Sequence, residues 1–255
     1  MSKEAKHIFG QRAAYYTTSE SHKDNIVLSR LVELARTRPD MHVLDVATGT
    51  GHTAFALAPY VSKVIATDIT PEMLNEGRKM NDELQAANVI FEPADAHDLP
   101  FGNGTFDIVT CRRAAHHFKD IVRAIREMRR VLKAGGRLVI DDRSVPANDF
   151  IDATMNRLDK LHDRSHVREY RPAEWAHMLT DAAFDVEVIE PYTRHRPLSS
   201  LTRKAESEDA EKILGIIALL TEPERAAMNV VKKDDEIYTN HWYVIVVGIK
   251  QERNR

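Results

Sequence analysis

A pair of glycines directly after a predicted strand is the first feature of this chain that could do chemistry. Residues 43–46 are apolar apart from Asp45 and include two β-branched valines, Gly49 and Gly51 follow them, and a short helix is predicted over 52–59. Such a turn lets a ligand approach the backbone, and the amides at the start of the helix favour a polar or anionic group. The spacing over 49–54 matches a dinucleotide fingerprint, although other nucleotide ligands use the same kind of turn.

Carboxylates at the ends of the next two predicted strands bear on which nucleotide is bound. Asp68 ends the strand 64–67, where nicotinamide enzymes and S-adenosylmethionine enzymes both need an acid for the ribose hydroxyls. Asp95 and Ala96 follow the strand 89–91. A carboxylate there can accept from the exocyclic amino group of adenine while the next amide donates to the ring. The position of Asp95 therefore favours S-adenosylmethionine.

Two histidines follow the predicted strand 106–111, beside the place where a second substrate would meet this ligand. His116 and His117 could remove a proton from that substrate, or they could fix their loop to the helix that begins after Asp120. A base is needed only if the reacting atom carries a proton. Both roles stay open, and these two histidines are the candidate catalytic residues.

Basic side chains after later strands form a candidate substrate site. Arg113 and Arg143 follow predicted strands, and His166 and Arg168 lie in a charged segment further along. Guanidinium groups at this rim could hold a carboxylate, a phosphate or an enolate, or they could belong to a solvated face. Tyr16, which precedes the sheet, is predicted to cover the bound ligand.

Strands and helices alternate through the first half of the chain, which predicts a parallel sheet with helices on both faces and ligands at the carboxyl ends of the strands. The stretches 145–171 and 193–236 are longer than ordinary connections need, and they are predicted to cover the substrate. One domain over 1–255 is expected, with a helical cap at 1–40 and a cofactor-binding core at 41–142.

Composition excludes several classes of partner. The 255 residues include 36 Lys and Arg against 39 Asp and Glu, so the basic excess of a nucleic-acid-binding protein is missing. The single cysteine, Cys111, rules out a disulfide within the chain, and no uncharged stretch is long enough to cross a membrane. His162 and His166 lack a third ligand at suitable spacing, so no metal is expected. A cytoplasmic enzyme, monomeric or homodimeric, is the expectation.

Several motifs in a fixed order carry a resemblance to a known family. They lie at 43–51, 68–74, 95–101, 106–107, 116–118 and 130–136. Over roughly residues 41 to 142 the chain resembles the class I S-adenosylmethionine-dependent methyltransferases, especially the ubiquinone and menaquinone biosynthesis C-methyltransferases. The resemblance implies a Rossmann-like α/β fold with a seven-stranded, mostly parallel sheet. Its last strand is antiparallel and is inserted between two of the parallel strands.

The resemblance also implies contacts with S-adenosylmethionine. Asp45 and Gly49 are expected to line the methionine portion, Asp68 to hold the ribose, and Met73 to pack near adenine. Asp95 and Ala96 are expected to read the adenine edge. The remaining members of the expected cofactor-binding set are Ala47, Gly51, Ile69 and Arg112.

Methyl transfer to a small-molecule acceptor by in-line displacement is the activity that this resemblance implies. An NAD-dependent oxidoreductase and a non-catalytic S-adenosylmethionine-binding protein are the alternatives. The family's usual first glycine of the loop is Ala47 here, and its methyl group is expected to fit if the backbone keeps strand geometry. The identity of the acceptor, and the element that is methylated, stay open.

Overall fold

A twisted sheet runs through the whole computed structural model, which describes residues 10, 12–14, 17 and 24–251. Its strands are β1 (His42–Val46), β2 (Lys63–Asp68), β3 (Val89–Pro93), β4 (Phe106–Arg112), β5 (Leu132–Ser144), β6 (Phe184–Pro197), β7 (Val231–Lys233) and β8 (Glu236–Lys250). They lie in the order β3-β2-β1-β4-β5-β8-β6, and β7 pairs with β8.

The topology of this sheet confirms the predicted fold. β1 to β5 pair in parallel, whereas β8 is antiparallel to both β5 and β6. The last strand is therefore inserted between two strands that share one direction, as the resemblance implied. The short strand β7, which only extends a hairpin with β8, is an addition that the sequence did not indicate.

Helices connect the strands and begin where the local signals predict. They are α1 (Asn25–Ala35), α2 (His52–Leu57), α3 (Pro71–Leu84), α4 (Ile121–Val131), α5 (Asp149–His162), α6 (Pro172–Asp181), α7 (Ser199–Thr202), α8 (Ser207–Ala218) and α9 (Glu222–Ala227), with 3-10 turns at Ala58–Tyr60 and Ala115–His117. The Asp24 and Asp120 carboxylates cap α1 and α4 by accepting from backbone amides two or three residues into each helix. Of the helices described, none combines the length and the apolar content that crossing a bilayer requires.

Both faces of the sheet are buried, which explains why β1 reads as a nearly continuous apolar run. Val43 packs into the core on one face and Leu44 into the core on the other. Because side chains alternate along a strand, a strand covered on both sides needs apolar residues at every position. Asp45, buried in the same strand, is the exception that marks a site.

A third hydrophobic cluster lies in the two long stretches that follow β5 and β6. It is formed by α5, α7, α8 and their neighbours, with buried side chains at Val145, Ile151, Met155, Leu158, Leu198, Leu201, Ile213, Ile217 and Met228. The two stretches therefore pack against each other. The second is shorter than expected, since β6 continues as strand to Pro197.

Candidate functional site

A cavity of about 310 Å³ lies at the carboxyl ends of the parallel strands and is bounded by the two long stretches. From the expected cofactor set it brings together Asp45, Ala47, Gly49, Asp68, Met73 and Arg112. From the catalytic and substrate sets it brings together Arg113, His116, His117, Arg143 and His166. Its lining does not include Gly51, Ile69, Asp95, Ala96 or Arg168. Tyr16 lies outside the described residues.

The two glycines of the turn after β1 serve different purposes. Gly49 has a φ of +58° and lines the cavity, and a Cβ built on it would meet nothing within 4 Å. Gly51 has a φ of +95° and caps α2, and a Cβ there would lie 2.6 Å from the Phe91 ring. Gly49 therefore leaves space for a ligand, whereas Gly51 is needed for packing.

Ala47 does not keep strand geometry, so that expectation is wrong. Its φ is +53°, in the left-handed region that L-residues other than glycine adopt at a cost. The turn needs this conformation because the chain leaves β1 and reverses within a few residues to enter α2. The position thus has the backbone that a glycine would adopt without strain.

Two buried carboxylates hold this turn in place. Asp45 accepts hydrogen bonds from the hydroxyls of Thr110 (2.6 Å) and Thr48 (2.5 Å), and burial raises its pKa to about 6. Asp68 accepts from the backbone amides of Gly49 (3.0 Å) and Thr70 (2.8 Å), and burial raises its pKa as well. Asp68 therefore joins the end of β2 to the turn after β1.

A donor such as S-adenosylmethionine fits what the turn presents. Thr50 is buried and lines the cavity, and its hydroxyl has no hydrogen-bond partner among the described residues. Gly49 leaves open space beside it, and Asp68 is the carboxylate available for hydroxyl groups. Polar groups of this kind are normally satisfied when buried, so the turn is built to receive a polar ligand.

The expected adenine-reading residues lie past the end of β3. The carboxylate of Asp95 accepts from the backbone amide of His97 at 3.0 Å, and its Oδ1 lies 2.6 Å from the His97 Nδ1. Although partial burial acts in the opposite direction, these hydrogen bonds lower the pKa of Asp95. The residue is therefore held as a carboxylate, and its role with adenine stays a prediction.

Two consecutive arginines, the last residue of β4 and the one directly after it, line the cavity. Arg112 is buried and donates to the hydroxyl of Thr53 at 3.1 Å. Arg113 donates to Asp141 at 2.9 Å and lies 3.8 Å over the ring of Tyr243. The charge of Arg113 is thus already paired within the protein, which makes it a wall of the site.

The two candidate catalytic histidines lie in one buried 3-10 turn, with ring centroids 4.0 Å apart. The Nδ1 of His116 is 2.5 Å from Asp142, and the same carboxylate accepts from the His116 backbone amide. Asp142 therefore orients His116.

A hydroxyl and a carboxylate orient His117. Its Nδ1 is 3.0 Å from the Ser165 hydroxyl, which in turn donates to Asp163 at 2.6 Å. Because the Ser165 hydroxyl donates its hydrogen bond to Asp163, its oxygen accepts from the Nδ1–H of His117. The Nε2 of the His117 ring is therefore unprotonated and is a hydrogen-bond acceptor. Burial, assisted by His116, lowers the pKa of His117 to about 3.

The basic residues of the charged segment have different surroundings. Arg143 donates to Asp159 at 2.6 Å and to Glu169, all within the buried interior. Arg168 pairs with Asp152 and Glu174 at 3.2 Å. The structure thus brings Arg143 to the cavity and leaves Arg168 in a network between α5 and α6.

Several cavity residues were missed by sequence reasoning. They are Arg12, Arg196, Lys204, His241 and Tyr243. The only signal for them was polar residues at the start of an apolar strand run, as with His241 ahead of residues 242–249. Within the described part of the chain, no group of three or more potential ligands is arranged to hold a metal ion.

Comparisons with known proteins point to one family. A family model described as a methyltransferase domain matches residues 37–183. The methyltransferase YcgJ of Bacillus subtilis (strain 168) is 39% identical over 172 residues, which is 68% of this chain and 68% of that protein. Its crystal structure superimposes with a TM-score of 0.83 at 32% identity, covering 88% of this chain and 98% of the other.

Two further proteins are similar to this chain, one over part of its sequence and one over most of its fold. The ubiquinone/menaquinone biosynthesis C-methyltransferase UbiE of Geobacter sp. (strain M21) is 39% identical over 108 residues, or 41% of this chain and 46% of that protein. The crystal structure of BH2331 from Bacillus halodurans C-125 covers 88% of this chain and 99% of its own, with a TM-score of 0.84 and 32% identity.

Proposed function

The chain belongs to the class I S-adenosylmethionine-dependent methyltransferases, and from that premise we propose that it methylates a small-molecule acceptor by in-line displacement. S-adenosylmethionine is the cofactor, and it supplies a methyl group already activated on a sulfonium. Membership of this family decides against the nicotinamide alternative, which shares the glycine turn and the acid at the end of β2.

One observation carries the proposal: the glycine turn and the paired histidines line the same cavity. Its volume of about 310 Å³ is at the small end of the range for small-molecule sites. A nucleophile held beside the histidines would therefore face a donor held by the turn. Such placement is the main contribution that a protein makes to a displacement on an activated methyl group.

We assign the donor-binding role to the residues that meet at the turn. Asp68 holds the ribose hydroxyls, Gly49 and Asp45 lie along the methionine portion, and Met73 packs near the adenine. The unpaired hydroxyl of Thr50, buried in the cavity, supports a polar ligand at this place.

Proton removal, where the acceptor needs it, falls to His117. Burial keeps the pKa of this ring at about 3, so it is neutral at physiological pH and is a weak base, which suits an acceptor whose own proton is acidic. The Nδ1 proton stays on the hydrogen bond to Ser165 during that step. A cytoplasmic location is part of the same proposal.

Calorimetry with S-adenosylhomocysteine and with NAD tests the donor site. We expect saturable binding of the first and no comparable binding of the second. The matched variants are Asp68→Ala and Asp95→Ala. The first should weaken binding by about 1.5 to 3 kcal/mol, the scale of hydrogen bonds to a charged group, and the second by less. Binding that is unchanged in both variants would place the donor elsewhere.

Transfer itself is tested by incubating the protein with S-adenosylmethionine and a panel of small acids, phenols and amines, and following S-adenosylhomocysteine release. Release that depends on an acceptor supports the proposal. Donor binding without release from any acceptor, in a panel that includes anionic compounds, would contradict it.

A further inference from the structure

The strands β6 and β8 continue past the end of the parallel sheet as a two-stranded ribbon. The pairing of β5 with β8 ends at Ser144 and Trp242, whereas β6 and β8 stay paired to Pro197 and Tyr238. We call residues 192–197 of β6 and 238–243 of β8 the ribbon. It is one of the walls of the cavity, since Arg196, His241 and Tyr243 line it.

Register places a row of polar side chains on one face of the ribbon. Arg194 is opposite His241, and Arg196 is opposite Thr239. Directly opposed residues share a face and alternate residues return to it, so Arg196 and His241 are diagonal neighbours on the same face. Burial and the charge of Arg143 lower the pKa of His241 to about 3, and the nearby charge of Arg196 acts in the same direction.

His241 presents a hydrogen-bond donor to the cavity. Arg143 lies 3.3 Å from its Nδ1 and can only donate, so that nitrogen accepts and the proton resides on Nε2. The ring is 2% exposed, and its Nε2 has no partner among the described residues.

Arg196 presents a second donor of the same kind. Its Nε is buried and makes no hydrogen bond within the described residues. Leaving a buried donor unsatisfied is costly, and here two such donors occur side by side on a cavity wall. A ligand atom that accepts from both would remove the cost.

The charge of the cavity wall indicates which kind of ligand group suits these two hydrogen-bond donors. Seven cationic side chains line the cavity, against four carboxylates, those of Asp45, Asp68, Asp159 and Asp163. Arg143 is paired with Asp159, and Arg12 with Asp163. Arg196 has no carboxylate partner in the described part of the chain, so its charge is left to pair with an anion in the cavity.

We propose that Arg196 and His241 form an anion-binding subsite for the methyl acceptor, which carries a carboxylate or a phosphate group. That the bound anion is the methyl acceptor rests on the proposed function. That an anion binds here rests only on the residues of the cavity wall. His241 donates through Nε2 and Arg196 through its guanidinium, and together they fix the acid group on the ribbon. The reacting atom then lies toward His117 and the donor.

Ligand-observed NMR titration of protein loaded with S-adenosylhomocysteine tests the subsite. The probes are benzoate for a carboxylate source, phenyl phosphate for a phosphate source, and benzamide as the neutral analogue of benzoate. We expect at least one anion to bind, with a Kd at least tenfold below that of benzamide. Whichever anion binds more tightly identifies the group that the acceptor carries.

Variants of neighbouring arginines provide the comparison. Arg196→Gln should raise the Kd of the anion at least tenfold, and Arg196→Lys, which retains the charge, should lose less. Arg194→Gln is the matched control, because Arg194 lies on the same strand face but is paired with Asp24. It should leave the anion Kd within twofold.

The outcomes separate the two proposals. Equal affinity for benzoate and benzamide, an anion Kd unaffected by Arg196→Gln, or no anion binding at all would overturn the subsite, even if S-adenosylhomocysteine binds normally. Failure of S-adenosylhomocysteine to bind would overturn the proposed donor site. In that case the anion titrations, repeated on unloaded protein, still decide the subsite.

Discussion

At the scale of single residues, Ala47 and the Ser165 hydroxyl have roles that follow from geometry. Ala47 has left-handed backbone at the turn that faces the donor site. Ser165 connects His117 to Asp163. One position concerns the energy of the fold, and the other concerns the protonation of a candidate base.

Ala47→Gly should stabilise the protein. An L-residue in the left-handed region costs about 1 to 2 kcal/mol, and the extra freedom of glycine in the unfolded chain offsets about 0.4 to 1 kcal/mol of the relief. We expect the free energy of unfolding to rise by about 0.5 to 1 kcal/mol in urea titrations. Ala226→Gly, at an exposed position in α9, is the control and should lower it by about 1 kcal/mol. A loss at Ala47 would mean that its methyl group makes contacts worth more than the strain.

Ser165→Ala should lower kcat by about tenfold, because the His117 proton is then no longer held on Nδ1. The Kd of S-adenosylhomocysteine should not change. Ser165→Thr retains a hydroxyl and should recover most of the rate. A role that is only structural would instead lower thermal stability in both variants and would give no rescue; a kcat equal to that of the parent would show that His117 is not used as a base.

At the scale of elements, the stretch from the end of β5 to α6 contains two arginines, Arg143 and Arg168, that take different roles. Arg143, at the end of β5, is buried between Asp159 and Glu169. Arg168, in the loop before α6, has a side chain that is 37% exposed and pairs with Asp152 and Glu174. Burial therefore decides how much each pair contributes to stability.

Arg168→Ala should lower the free energy of unfolding by less than about 1 kcal/mol, since solvent screens a half-exposed pair. Arg143→Met should cost about 3 to 5 kcal/mol, because it leaves two acids buried without their partner. Thermal and urea unfolding measure both. The affinity for S-adenosylhomocysteine and the KM of the acceptor should be unchanged in Arg168→Ala, and a raised KM there would return Arg168 to the substrate site.

At the scale of the whole molecule, the cavity gathers buried titratable groups whose protonation is linked to folding. Burial lowers the pKa of His166 from 6.5 to about 4. Between pH 6.5 and about 4, His166 therefore binds a proton in the unfolded chain but not in the folded chain. The folded state is favoured by the neutral ring above this range, and that stabilisation is lost as the pH falls from about 6.5 toward 4. Carboxyl groups whose pKa is raised by folding, such as Asp45 at about 6, instead stabilise the folded protein as the pH falls. The dependence of the parent's free energy of unfolding on pH therefore combines both effects.

His166→Gln isolates the contribution of one histidine. The amide nitrogen of Gln can retain the hydrogen bond that the His166 Nε2 makes to Asn156 at 3.0 Å. Parent and variant are unfolded in urea at several pH values. The difference in their free energies of unfolding should shift in favour of the variant by up to about 1.4 kcal/mol per pH unit below pH 6.5. A difference that is independent of pH between 4 and 6.5 would show that His166 titrates alike in both states.

The sequence by itself determined the elements and the family. Apolar runs, caps and turns are local signals, so β1 and α2 were predicted within one or two residues of His42–Val46 and His52–Leu57. Asp68 and Gly49 were found for the same reason, because each directly follows a strand and their hydrogen bond forms where parallel strands end together.

Only the tertiary structure decided the acceptor side of the cavity. Arg143 and His241 are 98 residues apart and His117 and Ser165 are 48 apart, and no local pattern indicates that they meet. The φ of Ala47, the length of β6 beyond the sheet and the burial of Arg143 likewise depend on how elements pack. Side-chain protonation follows burial, and burial is a property of the assembled chain. The sequence indicated His117 as a candidate, but the Ser165 hydroxyl that orients it and the proximity of Arg196 to His241 became visible only in three dimensions.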